Sequence, residues 1–469
     1  MIAKTGDLRV VDTNDAVLSV IETIHAYERE IKNIVSTKGN IFGVFFHDLV
    51  IHFSCILIQR ETADLSAPIP RFPYVSPDFA RQPSLNLIQK PAPRIFENSI
   101  RTRIRQTAFL PFAVGNAIPF GYKQLYWQSK ILNILGEYQK PIKVYLKNLE
   151  PQLDALNECI NTICQSHQIE NSDVVRAIWQ QYVLNHSTRA LSETKCKFLV
   201  VGNRTDLQNR KLAYNYLEQD KEVIAFTHGE IASTIFDEPL YRYSERGLCT
   251  TLVEYGTKAA SADQKEILIP PVNVLYRDSD VALSKFRKSD KITSKNFEDS
   301  KLLYIPTTYV GNEIYGPYHA YPDCVYREWH SAIHRVVPDV IFKSHPKSKG
   351  HVKGPGLVED RWLDDCIEEY DVFILDYFAT STVLAMLMDK PVIFLDIGLR
   401  RLAAEFLSTL KERCHYVSID INGDLDDQLA EAMSSYSAAH SSWSNLRLEK
   451  YCLSSQSTFR WKDIFRRAM

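Results

Sequence analysis

Residues 227–239, THGEIASTIFDEP, bring one histidine and three carboxylates directly after the apolar run Val223-Ile224-Ala225-Phe226. That run reads as a buried parallel strand, so His228, Glu230 and Asp237 are delivered to the exit of a core strand. Carboxylates crowded together split their pKa values, which can leave one protonated near neutral pH while its neighbour is ionised. Such a group can supply a nucleophile, a general acid or a general base. Pro239 restricts the loop, as a nucleophile held to close tolerance requires. The plainer alternative is that Asp-Glu-Pro caps a helix or makes a solvated turn.

Two further clusters suit an anion. Ser381 and Thr382 open a helix after the apolar run Val372-Phe373-Ile374-Leu375, where unpaired backbone N–H groups and the helix dipole favour negative charge. His345, Lys343 and Lys347, in KSHPKSKG after Val340-Ile341-Phe342, can bring positive charge and donors to the same phosphate, with Pro346 stopping the strand. Together they make a nucleotide-phosphate cradle without a GxGxxG or Walker sequence. Taken singly, a Ser or Thr at a helix start is an N-cap and a His-Pro in a loop is a turn.

The elements that must position these residues follow from the alternation of short β-branched runs with amphipathic stretches. KFLVVGN, EVIAFTHG, TTLVEYG and EILIPPV read as strands, with DLQNRKLAYNYLEQDK as a helix. After the polar connection 278–301, KLLYIPTTY, DVIFKSHPK, DVFILDY, PVIFLDI and CHYVSIDI read as strands separated by helices. Strands alternating with helices of this length give parallel sheets covered on both faces. The fold class is therefore α/β, with two Rossmann-like domains facing across a cleft. The expected division is 1–280, 281–450 and a helical tail, 451–469. Proline-rich SAPIPRFPYVSPDFARQPS reads as a long surface loop or part of an acceptor platform, and SDVVRAIWQQYVLNH as a helix.

Composition sets the outer limits. The 469 residues exceed one ordinary core, and 45% hydrophobic with 24% charged residues is the make-up of a soluble globular protein. A formal charge of -2 offers no general attraction for nucleic acid. The nine cysteines include no CxxC pair, which suits free thiols in a reducing compartment. MIAKTGDLRVVDTND lacks the apolar core of a signal peptide. IFGVFFHDLVIHFSCILIQR is interrupted by His47, Asp48 and His52, so it reads as core and not as a membrane span. The expected location is the cytoplasm. The terminal STFRWKDIFRRAM either packs across the domains or touches the inner face of a membrane.

SHP followed by DYFATSTVLAMLMDKPVIF resembles the C-terminal domain of GT-B glycosyltransferases that use cytidine-nucleotide donors. Bacterial polysialyltransferases hold CMP with a His-Pro and a Ser/Thr motif, and teichoic-acid glycerophosphotransferases show a similar Y-x-P-T strand. LLYIPTTY, His345-Pro346 and DYFATST occur here in that order, over roughly residues 196–400. The N-terminal pattern HGE…DEPLYRYSE…C…YG resembles the retaining β-Kdo transferases of bacterial surface glycans. Glycerophosphotransferases typically carry an HGT-like motif instead, from which this chain departs at Glu230.

The resemblance implies transfer of Kdo from CMP-Kdo to a lipid-linked glycan acceptor, in O-antigen or capsule synthesis. It implies an aspartate nucleophile, for which Asp237 is the candidate and Glu230 the alternative. His228 would share acid/base or sugar-binding work. Donor contacts would fall to Lys343, His345, Pro346, Lys347, Ser381, Thr382 and Thr307. The sugar carboxylate would pair with Arg204 and Arg210, with Arg242 and Arg246 also at hand. No cofactor and no metal are expected, because cradle and histidine can offset the leaving-group charge. Rivals are a CDP-glycerol or CDP-ribitol polyol-phosphate transferase, a sialyltransferase, a sugar-nucleotide epimerase, and a glycan-binding protein that has kept the fold.

Overall fold

The computed structural model describes residues 18–24, 26, 41–61, 69–70, 112–114, 137–138, 143–191, 193, 196–202, 204, 207–226, 246–255, 272–277, 297–307, 313–314, 323–343, 356–436 and 466. In chain order the strands are β1 (Ile69–Pro70), β2 (Phe112–Val114), β3 (Glu137–Tyr138), β4 (Val144–Tyr145), β5 (Ser187–Thr188), β6 (Phe198–Val201), β7 (Glu222–Phe226) and β8 (Thr251–Tyr255). They continue with β9 (Asn273–Arg277), β10 (Leu302–Ile305), β11 (Glu313–Ile314), β12 (Ile341–Lys343), β13 (Val358–Glu359), β14 (Val372–Leu375), β15 (Val392–Asp396) and β16 (His415–Ser418). The helices that matter to the site are α1 (Ile41–Glu61), α2 (Leu149–Ser166), α3 (Ser172–His186), α4 (Leu207–Leu217) and α5 (Asp323–Val336). On the C-terminal side they are α6 (Leu363–Cys366), α7 (Thr380–Leu387), α8 (Ala404–Arg413) and α9 (Leu425–Tyr436).

Two six-stranded sheets organise the chain, ordered β3-β2-β6-β7-β8-β9 and β13-β12-β10-β14-β15-β16. Every pairing in both is parallel. In chain order the second sheet runs 3-2-1-4-5-6, the doubly wound order of dinucleotide-binding domains, and the first runs 2-1-3-4-5-6. The expected pair of Rossmann-like units is present. The first sheet closes with Arg277 and the second opens with Leu302.

The central strands form because their residues bury on both faces. Val372, Phe373, Ile374 and Leu375 are all buried, as are Phe198 to Val201. In the second sheet, side chains alternate between two cores. Leu303, Ile305, Phe373 and Leu375 meet Leu384 of α7 and Phe406 of α8. Leu302, Tyr304, Val372 and Ile374 meet Trp329 of α5 and Leu429 of α9.

Helix α1 is apolar all round, as a helix enclosed by others must be. Two of its buried polar residues, Asp48 and His52, are held by partners on other helices. Arg210 Nη2 of α4 lies 2.6 Å from Asp48 Oδ1, Tyr182 donates to Asp48 Oδ2 at 3.1 Å, and Trp179 Nε1 donates to His52 Nδ1 at 2.9 Å. Burial pushes the imidazolium of His52 down to about 3, so the ring is neutral and can accept. Among the described residues no helix is long and apolar enough to cross a membrane.

Two segments differ from the sequence-based expectation. The last strand of the first sheet is β9, Asn273–Arg277; of the run 266–272 read as a strand, 266–271 lie outside the described residues. Within the proline-rich stretch, Ile69–Pro70 pairs in parallel with Glu313–Ile314, so this segment is stitched to the C-terminal half. The short edge strand β13 has too few residues for any periodicity.

Candidate functional site

In an open α/β sheet, ligands sit beyond the carboxyl ends of the strands where the order reverses. In the second sheet that point lies between β10 and β14, and Asp376 occupies it, directly after β14. The side chain is buried, and three donors converge on it: the Thr307 backbone N–H (2.7 Å), Trp329 Nε1 (2.9 Å) and the Tyr304 hydroxyl. Burial raises its pKa to about 6, against the pull of these hydrogen bonds. Trp329 also donates to Tyr304 Oη at 2.9 Å, so β10, α5 and β14 share one polar knot. It joins the YIPTT and DYFATST segments at one crevice.

The turn into α7 is fixed from within. Thr382 Oγ1 donates to the Tyr377 carbonyl at 2.8 Å and accepts from the Ala379 N–H at 3.1 Å. Thr382 is fully buried, so its hydroxyl shapes the turn and the contribution left to it is positional. Ser381, half-buried in the first turn of α7, stands next to the unpaired N–H groups of the helix start. The far end of α7 is plugged by buried Arg413, which donates to the carbonyls of Met386 (2.9 Å), Met388 (2.9 Å) and Lys390 (3.0 Å). Helix α7 is thus anchored at both ends.

Lys343 departs from its expected role. Its side chain stands on the sheet face opposite Phe342, and Nζ donates to the Glu359 carbonyl of β13 at 3.1 Å. Burial lowers its pKa. The amine serves the sheet edge. His345, Pro346 and Lys347 lie outside the described residues.

Beside the crevice, a notch opens beyond β14 and β15, walled by Tyr377, Phe378, Phe394, Asp396 and Arg400. The Arg400 guanidinium lies 4.9 Å over the Tyr377 ring, and Nε donates to Tyr377 Oη at 2.8 Å. Asp396 accepts from the Gly398 N–H at 2.9 Å and from the Tyr416 hydroxyl. Gly398 has φ 77°, a left-handed conformation that favours glycine.

At the carboxyl end of the first sheet, Arg204 follows β6 and is buried. Nη1 donates to the Gly202 carbonyl at 2.8 Å, with a longer 3.5 Å contact to the Phe226 carbonyl at the end of β7. Arg246 and Glu254 approach each other at 3.8 Å, both fully buried. Burial pushes the nearby Cys249 thiol up to about 11, although the Arg204 charge pulls it down.

Arg210 does not join this group as a ligand. Nε donates to the Val44 carbonyl at 2.8 Å, Nη1 to the Arg204 carbonyl at 3.1 Å, and Nη2 to Asp48. A buried carboxylate in an apolar helix requires a cation, and Arg210 answers that need. The reading of Arg210 as a sugar-carboxylate ligand is corrected accordingly: it anchors α1 and fixes the backbone at residue 204. His228, Glu230, Asp237 and Arg242 lie outside the described residues.

Sequence reasoning passed over Asp376, Glu254 and Arg400. A signal existed for Asp376, since a carboxylate at the end of four consecutive buried residues must bury or cap something.

No family model matches the chain, and no curated protein matches it. Among solved structures, it is similar to the glycotransferase of kitacinnamycin, with 12% identity, a TM-score of 0.39, and coverage of 77% of this chain and 99% of that one. It is similar to S. aureus MnaA in its UDP co-structure, at 12% identity and a TM-score of 0.35, covering 72% of this chain and 92% of that one. The glycosyltransferase SnogD from Streptomyces nogalater gives 9% identity and a TM-score of 0.33, with coverage of 78% and 100%.

Proposed function

We propose that the chain is a GT-B glycosyltransferase that takes a cytidine-nucleotide sugar, CMP-Kdo, and transfers Kdo to a surface-glycan acceptor that is lipid-linked. The observation that carries this reading is the bond from Thr307 N–H to Asp376. It draws the two segments that resemble CMP-binding motifs to the switch point of a doubly wound sheet, where such folds bind nucleotides. The first turn of α7 would receive the phosphate on its free N–H groups, with Ser381 beside it. His345 and Lys347 would add donors, and no metal is needed in this scheme.

Retention requires two displacements. A carboxylate, Asp237 or Glu230, attacks the anomeric carbon; the C–O bond to the phosphate breaks and CMP departs with the electron pair. The acceptor oxygen then attacks the same carbon, its proton passes to a base such as His228, and the carboxylate is released. In the sequence these residues follow β7.

The test is thermal stabilisation of the full chain by CMP, CDP, UDP, GDP and AMP, followed by turnover with CMP-Kdo. A native-state ligand raises the midpoint according to its affinity and concentration. A CMP-selective rise followed by CMP release with CMP-Kdo is the expected result. A rise confined to CDP would transfer the reading to polyol-phosphate transfer, and preference for UDP or GDP would remove the cytidine donor.

A further inference from the structure

Asp376 and Asp48 are equally buried, each 1% exposed, but they are held in opposite ways. Asp48 has the Arg210 guanidinium at 2.6 Å. Asp376 has only uncharged donors: its Oδ1 accepts from the Thr307 N–H, and its Oδ2 from Trp329 Nε1 and the Tyr304 hydroxyl. Among the described residues no lysine or arginine pairs with it. Both oxygens are occupied, so a proton arriving on either one meets a hydrogen already there. The donors favour the ionised acid and burial favours the neutral one, and the balance puts its pKa at about 6.

The groups around it do not fix its state by charge. On β10, burial keeps the Tyr304 phenol protonated. On α5, Trp329 is neutral, Tyr326 is buried beside Tyr304, and His330 packs edge-on to the Tyr304 ring at 5.7 Å between centroids. Burial pushes the His330 imidazolium down to about 4, so it brings no positive charge near neutral pH. Toward the notch, Arg400 bonds to Tyr377 Oη, and Asp396 accepts from the Gly398 N–H and the Tyr416 hydroxyl.

Asp376 is nonetheless joined to both walls of the crevice. Thr307 ties it to the loop after β10, and Thr382 Oγ1 ties the first turn of α7 to the carbonyl of Tyr377, the next residue along. An anion on that turn adds negative charge near a carboxylate that has no cation to offset it. A unit charge within about 10 Å moves a group in a protein interior by roughly one pKa unit, and like charge moves an acid upward.

We infer that Asp376 is a proton-linked positioning residue: seating a nucleotide phosphate on the first turn of α7 makes this carboxylate take up a proton, so the donor site tightens as the solution becomes more acidic. The inference rests on the reading of the crevice as a nucleotide site and supplies its regulation. The sign follows from reciprocity, since a ligand that strengthens proton binding is itself bound more strongly by the protonated protein. Protonation also takes the anionic partner from the Thr307 N–H, which lets the loop after β10 adjust to the ligand.

The experiment titrates the full chain calorimetrically between pH 5 and 8 with the methyl diesters of CMP and UMP, whose own charge does not change over that range. Running each pH in two buffers of different ionisation enthalpy counts the protons exchanged. The wild type should take up about half a proton at the maximum, and its affinity for the cytidine diester should rise about tenfold from pH 8 to pH 5. Asp376→Asn, neutral at every pH, should lose that uptake and flatten the affinity profile. Tyr304→Phe removes a donor that favours the ionised acid, so it should move the uptake to higher pH; it decides the matter if Asp376→Asn does not fold. No proton uptake by the wild type, uptake unchanged in Asp376→Asn, or an unmoved window in Tyr304→Phe would overturn the linkage. Cytidine-selective binding without uptake would remove only this inference. Equal binding of both diesters with the expected uptake would keep it and remove the cytidine-donor reading, and binding of neither would remove both.

Discussion

The backbone N–H of Thr307 and the carboxylate of Asp376 meet at 2.7 Å across the β10–β14 boundary, where the order of the second sheet reverses. The contact makes a buried acid the joint between two loops that lie 69 positions apart in the chain. Trp329 Nε1 keeps Tyr304 Oη as an acceptor, so losing the carboxylate leaves the Thr307 N–H and the Tyr304 hydroxyl short of theirs.

This predicts a distinctive pH dependence. Burial puts the folded pKa of Asp376 at about 6, above the ordinary value of 3.8, so folding favours the protonated form. The resulting contribution is fully present below the unfolded pKa and is lost as pH rises through about 6. At 1.36 kcal/mol per pH decade it amounts to about 3 kcal/mol, as an order of magnitude. Urea titrations of wild type and Asp376→Asn between pH 4 and 7 should show the stability difference between them shifting by that amount. Parallel curves would mean that Asp376 titrates normally.

The Asp48–Arg210 pair makes a prediction of the opposite kind. Burial alone would raise the Asp48 pKa, but the Arg210 charge, together with His47, holds it below the usual carboxylate range. Removing one partner strands the other, and Asp48→Ala or Arg210→Met should each cost roughly 3–5 kcal/mol. Removing both, as Asp48→Leu with Arg210→Met, should recover most of that loss. Denaturant midpoints of the three proteins give the answer. A double variant as unstable as the worse single one would show that the pair does not act as a unit.

Thr382 and Ser381 are neighbours with different work. Thr382→Val deletes a hydroxyl that bridges Tyr377 and Ala379, and should lower stability by about 1–3 kcal/mol and loosen the turn. Thr382→Ser should restore it. Ser381→Ala should change stability by less than about 0.5 kcal/mol, so any loss of nucleotide affinity there would reflect contact with the ligand. Comparable stability losses in both would place Ser381 in the same scaffold role.

The strands of the second sheet were legible because parallel strands buried on both faces are written as unbroken apolar runs, as in Val372 to Leu375. The strand pairing was not, since 3-2-1-4-5-6 depends on contacts between runs far apart in sequence. Within the site, local signals located residues without revealing their direction. Thr382 carries the helix-start signature, yet its hydroxyl faces its own loop. Lys343 lies at a strand end as expected, but alternation turns its amine to the face away from Phe342, onto the Glu359 carbonyl. Arg210 looked like a companion to Arg204 in the sequence. What decides otherwise is Asp48, 162 positions away, whose need for a cation is felt only once α1 packs on α4.

Asp237 and Glu230 remain to be told apart, and kinetics can do this directly. If Asp237 is the nucleophile, Asp237→Asn removes the attacking oxygen charge but nothing that holds the nucleotide. CMP-Kdo turnover should then fall by at least about a thousandfold while CMP binding stays within twofold, since such a group acts on the chemical step and not on ground-state affinity. Glu230→Gln should meanwhile retain measurable turnover with a displaced pH profile, as expected of an acid or base. A double displacement also leaves a sugar–carboxylate ester on the enzyme, and in Glu230→Gln slow release would let that adduct accumulate to a mass visible by intact-protein mass spectrometry. An adduct on the Asp237→Asn protein, or full turnover by it, would exchange the two roles. His345→Ala provides the contrast: it should weaken CMP binding itself, so the loss would appear in the titration before any chemistry is measured.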